Sequence, residues 1–200
     1  MKLKLAILLL SVIQISNLFS EEFSKGKYYT TNGEKIEGLL SIQRTKFSAI
    51  YFRPCVLKFK IDNNSKPVKL ENLTISAFVI GKDSFAVVQN FQVTYHMGFL
   101  KGIFWGKCHR DFGKVIQQGK INSFELSCDV FLGQYGHQDY SYFILSKDNQ
   151  NFKTFDLKED KERQNLIDYF SNQDDLKDII LNTNYKEINI IELVGLYNKR

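Results

Sequence analysis

Residues 26–43 read GKYYTTNGEKIEGLLSIQ. The dipeptide Asn32-Gly33 lies between a Tyr/Thr run and a segment in which Ile36, Gly38, Leu40 and Ile42 fall on every second position. Tyr, Thr and Ile favour strands, and Asn-Gly supplies the two positive-φ positions of a type I′ turn, whose twist matches that of the strands it joins. The stretch therefore predicts a β-hairpin, and its period of two can be traced along the rest of the chain.

Downstream, VLKFKI sets Leu57, Phe59 and Ile61 against Lys58 and Lys60, the alternation of a strand with one wet face. The turn formers of IDNNSKP break it. Val68 to Leu70, Ala77 to Ile80 and Phe85 to Val88 then read as further strands, punctuated by Gly81 and Asp83. Lys120 to Leu126 and Tyr140 to Leu145 continue the β character. Strands at spacings near ten residues, with no helix between them, predict an antiparallel meander closed or half closed as a barrel or sandwich. Near Lys158 the period changes. Leu166, Ile167 and Phe170, then Leu176, Ile179 and Ile180, then Ile188, Ile191, Val194 and Tyr197 form three short helical stripes. Asp174 and Asp175 suit the positive end of a helix dipole, and Lys199-Arg200 the negative end. The expected fold is α+β: an antiparallel, partly closed β-sheet over residues 21–156, followed by a small bundle of short helices over 157–200, in a single domain.

Upstream, residues 1–20 read MKLKLAILLLSVIQISNLFS. Lys2 and Lys4 before the apolar run Leu5 to Ile15, with Ser20 as the small residue before a cut, are the pattern of a secretory signal peptide. The run is shorter than the ~20 apolar residues a permanent span needs. The expectation is an exported protein, periplasmic, outer-membrane-associated or secreted, with no transmembrane span after cleavage.

Composition agrees with a globular domain. Of 200 residues, 44% are hydrophobic and 14% aromatic, while 2 prolines, 12 glycines and 3 cysteines exclude collagen-like, low-complexity and disulfide-framework classes. The formal charge is +5, but Lys2 and Lys4 belong to the leader, so 27 basic residues become 25 against 22 acids and the balance falls to +3. That is too little for a nucleic-acid arm, and no nucleic-acid partner is expected.

Four segments carry a resemblance: YYTTNGEKIEGLL, LENLTISAFVIGKDSF, FGKVIQQGKINSFEL and YFSNQDDLKDIILNTNYKEINIIELVGLYNKR. Together they resemble a broad group of uncharacterised exported proteins of Bacteroidetes-type bacteria, with an N-terminal hairpin, a β-rich middle and a helical tail. The resemblance implies that architecture and brings no catalytic residue with it.

Candidate chemistry concentrates between residues 95 and 141. YHMGFLKGIFWGKCHR places Met97, Phe99, Phe104 and Trp105 among glycines at 98, 102 and 106. Read as a glycine-flexed loop, these side chains suit an envelope partner or peripheral membrane contact; read as core, they cover an edge of the sheet. After export, Cys108 and Cys128 are the favoured disulfide pair, because they bracket the hairpin from Phe112 to Leu126; free buried thiols or a bond through Cys55 are the alternatives. His96, His109 and His137 lack zinc-ligand spacing, so neither a metal nor a cofactor is expected. His137, Asp139 and Ser141 share a strand face, but with Asp in the middle rather than His bridging the other two. No nucleophile elbow or phosphate-binding loop occurs. The expected function is therefore non-catalytic, an interaction or structural protein of the envelope or exterior. The alternative is an enzyme of unrecognised type using His, Asp and Cys groups between 96 and 141.

Overall fold

The computed structural model describes residues 22–47, 52–97, 102–131, 136–155, 157, 160–184 and 186–199, with the backbone alone for 47, 94–97 and 102–105. Residues 1–20, read as a signal peptide, lie outside them.

The opening hairpin forms from β1 (Ser24–Thr30) and β2 (Lys35–Gln43), paired antiparallel from Ser24↔Leu40 to Tyr29↔Lys35. Its turn differs from the expected type I′. The Gly33 N–H donates to the Thr30 carbonyl at 3.0 Å and the Thr30 N–H to the Glu34 carbonyl at 2.9 Å. Gly33 has φ of 85°, whereas Asn32 stays at negative φ. This is a three-residue loop, a type I turn closed by a glycine in the left-handed conformation, so one positive-φ residue suffices where the type I′ turn needs two.

The remaining strands are β3 (Thr45–Phe47), β4 (Phe52–Arg53), β5 (Val56–Lys60), β6 (Val68–Lys69), β7 (Ile75–Ile80), β8 (Asp83–Met97), β9 (Gly102–Gln117), β10 (Asn122–Phe131) and β11 (His137–Ser146). They form one curled, half-barrel sheet in the order β4-β3-β10-β9-β8-β7-β1-β2-β5-β6, with β11 on the other side of β10. Two features depart from a meander. The β1–β2 hairpin is inserted between β7 and β5, and β3 runs parallel to β10. The parallel pairing follows from a split in the sheet. β9 and β10 pair only between Ser123↔Gln117 and Glu125↔Lys114; past Glu125 the edge of β10 takes up β3, from Cys128↔Thr45 to Val130↔Phe47.

Of the segment read as a glycine-flexed loop, residues 95–97 and 102–107 are strand at the level of their backbone, and Gly98 and Phe99 lie outside the described residues. β8 and β9 stay in register through Val93↔Gly106, Thr94↔Trp105 and Tyr95↔Phe104 to Met97↔Gly102. Glycine weakens a strand without forbidding it, and a ladder this long, rich in Val, Tyr, Phe and Ile, carries Gly102 and Gly106 within β9.

The tail comprises α1 (Asp160–Tyr169), α2 (Asp174–Asn182) and α3 (Ile190–Asn198). Leu166, Ile167, Phe170, Leu176 and Ile180 are buried as expected, whereas Ile179 is 40% exposed. In α3 the buried stripe is rotated to Ile190, Leu193 and Val194. The rotation follows from the docking of α3 on the sheet. Asn198 Oδ1 accepts from the Ile121 N–H and its Nδ2 donates to the Ile121 carbonyl, both at 2.8 Å, so this amide acts as a strand partner for the β9–β10 turn. Helices of nine or ten residues are marginal alone; here they share a core with Ile121 and Leu145 of the sheet.

Candidate functional site

Among the described residues, the polar candidates are not gathered into one cleft. His137 on β11 reaches across to Asp129 on β10, with Nδ1 and Oδ1 2.7 Å apart. Asp139 is the register partner of Asp129, an opposition of like charges. It is relieved by Arg44, which donates to Asp139 Oδ1 at 2.7 Å, and by Lys46, 3.8 Å from Asp129. Asp139 is thus engaged by Arg44 rather than by His137 or Ser141. Cys108 and His109 take opposite faces of β9, the thiol in the core and the ring exposed. The side chains of His96, Met97, Phe104 and Trp105, and all of Phe99, lie outside the described residues. Among the described residues, no group of three or more His, Cys, Asp or Glu side chains is placed to hold a metal ion.

Cys55, Cys108 and Cys128 are free buried thiols, so the bond expected between Cys108 and Cys128 is not formed. The split in the sheet is the reason. The β9–β10 ladder ends at Glu125↔Lys114 before reaching either cysteine; Cys108 lies opposite Phe91 of β8, and Cys128 opposite Tyr140 of β11. Into the split projects Asp111, fully buried. Its Oδ1 accepts from the Phe112 N–H at 2.8 Å and the Cys55 N–H at 3.1 Å, while its Oδ2 accepts from the Thr45 hydroxyl. Burial raises the Asp111 pKa, and these hydrogen bonds oppose the rise. Burial, and after it the Asp111 carboxyl, push all three thiols upward. Thiols held protonated and out of solvent are poor nucleophiles. A colorimetric thiol reagent at mildly alkaline pH is therefore expected to react with three cysteines in denaturant and with none rapidly in the native protein; a single thiol in denaturant would mean that a disulfide forms.

A cleft of about 970 Å³ separates β8 and β9 from the turn after β11 and from α1, with Gln92, Lys107, Lys147, Lys153, Glu162 and Tyr169 among its walls. Its groups are largely committed to each other. Asp148 accepts from the Gln150 and Asn151 N–H groups at 2.9 and 2.8 Å, which lower its pKa to about 2. Lys147 donates to the Tyr169 carbonyl at 2.7 Å and lies 4.6 Å from the centre of the Tyr169 ring. Burial, then Lys153, lowers its pKa. Thr154 donates to the Gln92 carbonyl. The Lys147 contact thus ties α1 to the turn after β11, and the Thr154 contact ties the segment before α1 to β8.

The most distinctive surface is the outer face of the N-terminal strands. Alternation places Tyr28, Leu40, Leu57 and Phe59 inward, and Lys25, Lys27, Lys35, Lys58, Lys60 and Lys69 on the opposite face. Register gathers them into rows: Lys27↔Glu37, Lys25↔Leu39↔Lys60 and Ser41↔Lys58↔Lys69. Glu37 is the one acid of this face on these four strands, and it is ion-paired to Lys35. Residues 21–200 carry a balance of +3 and this face +5, so the rest of those residues nets −2 and the face is the positive part of the charge balance.

An α+β protein with a curled sheet and a lysine-bearing face is the class that fold and surface define. Comparison with known protein families, with curated proteins and with solved structures finds no match.

Proposed function

We propose that the chain is an exported, non-catalytic protein of the envelope or cell exterior that works by surface contact. The observation that carries this reading is the positive charge balance of the outer face of β1, β2, β5 and β6. The side chains suited to catalysis are meanwhile engaged elsewhere: Asp139 by Arg44, His137 by Asp129, and the thiols in the core. The leader-like residues 1–20 and the resemblance to exported Bacteroidetes-type proteins support the compartment. Fractionation of the native cell combined with proximity labelling tests it. The protein is expected in the envelope or the medium with labelled neighbours there; a stable cytoplasmic pool labelling cytoplasmic proteins would sink the reading.

A further inference from the structure

We infer that the lysine face of β1, β2, β5 and β6 docks on an anionic lipid surface, with the sheet edge at β6 entering the headgroup layer. This deepens the proposal of function by surface contact and rests on it.

Charge complementarity is the first ground. Across β1, β2, β5 and β6 this face carries six lysines and one acid, a balance that attracts an anionic surface. Lysine on an edge strand also guards against edge-to-edge pairing, which accounts for Lys69. It does not account for Lys25, Lys27 and Lys35, because β1 and β2 are interior strands of the sheet. The second ground is shape. Rows of lysine on strands ~4.8 Å apart make a two-dimensional lattice, which matches a surface of headgroups better than the single line of charge a polymer backbone offers.

The third ground separates a membrane from other polyanions. Ile61 and Leu73 are each 75% exposed; Ile61 follows Lys60, and Leu73 lies in the 3₁₀ turn just past β6. Ile61 reads from the sequence as an inward strand residue, but β5 ends at Lys60 and leaves it in the open turn. Large aliphatics beside lysines suit the boundary between headgroups and acyl chains, where apolar burial adds to attraction by anionic lipid.

Flotation of the full chain with vesicles tests the inference. Binding is expected to phosphatidylcholine vesicles containing phosphatidylglycerol and not to phosphatidylcholine alone, with release at about 1 M salt, where screening acts within ~3 Å. The K27Q/K60Q/K69Q variant should lose about a hundredfold in partition, a factor of roughly five per lysine. K120Q/K161Q/K199Q, with the same charge change elsewhere, should bind as the parent does. I61S/L73S should lose about tenfold on vesicles and nothing on heparin. Equal binding to neutral vesicles would assign the affinity to the apolar leader and overturn the inference. Equal loss in both lysine triples would overturn it too, as would retention on heparin or nucleic acid without vesicle binding. Failure on vesicles with the protein still in the envelope leaves function by surface contact standing, whereas a cytoplasmic location defeats that proposal whatever the vesicles show.

Discussion

Asp111→Ala is expected to destabilise the protein by roughly 3 to 5 kcal/mol, because it strands three buried donors at once. The Thr45 hydroxyl and the Cys55 and Phe112 N–H groups all give hydrogen bonds to this carboxyl, and water does not reach the site to replace it. Asp111→Asn separates charge from hydrogen bonding. Its amide oxygen can keep both backbone donors, and the Thr45 hydroxyl can turn to accept from the new NH₂, so a much smaller change is expected. The sign of the pH dependence is set by the direction of the shift. Burial raises the folded pKa of Asp111 above its ordinary 3.8, so between the two values the folded state holds a proton that the unfolded state has released. The stability from this group is complete below the unfolded pKa and is lost as pH rises through the folded one. Urea melts of parent and Asp111→Asn across that window should converge toward acid and diverge as pH rises, with the parent the weaker of the two at neutral pH. Parallel curves would mean that the carboxyl ionises as freely in the fold as in the open chain.

Asp111 also marks where sequence reading stops. Strand periodicity identified the β1–β2 hairpin, β5 and the helical tail, because each is local: alternation or an i, i+3, i+4 stripe between turn formers. The Asp111 site depends on β9 parting from β10 and on β3 entering beside β10, and no local signal encodes a split between strands distant in the chain. For the same reason the Cys108 and Cys128 positions looked bridgeable and are not register partners. The lysine face was present in the sequence only as scattered alternation: KGKYY, KIEG, VLKFKI and PVKL each read as an ordinary solvated strand. Register adds them together. In β9, glycines at 102 and 106 imitated loop punctuation; the ladder to β8 outweighs them because each weakens the strand by only about a kcal/mol.

Gly26→Ala and Gly38→Ala are each expected to cost about 3 kcal/mol or more, for a reason specific to the curl of the sheet. The two glycines are direct partners across β1 and β2. A Cβ on Gly26 would lie 2.3 Å from the Val79 carbonyl oxygen of β7 and 2.9 Å from Leu40 Cδ1; one on Gly38 would lie 2.5 Å from the Lys60 carbonyl oxygen and 2.5 Å from the Phe59 ring. In both cases the nearest atom belongs to backbone, so relief requires moving a strand rather than turning a side chain. The pair therefore lets the sheet fold inward over Leu40 and Phe59 while the lysines spread on its convex side. Gly33 is the internal control. A Cβ there meets nothing within 4 Å, but its φ is 85°, so Gly33→Ala should cost only about 1 to 2 kcal/mol, and Gly33→Asn less, since Asn tolerates this conformation. Thermal melts should rank Gly26→Ala and Gly38→Ala well below Gly33→Ala. If all three melt together, the hairpin is not clamped between β7 and β5 at these glycines, and the close approach that curves the lysine face is absent.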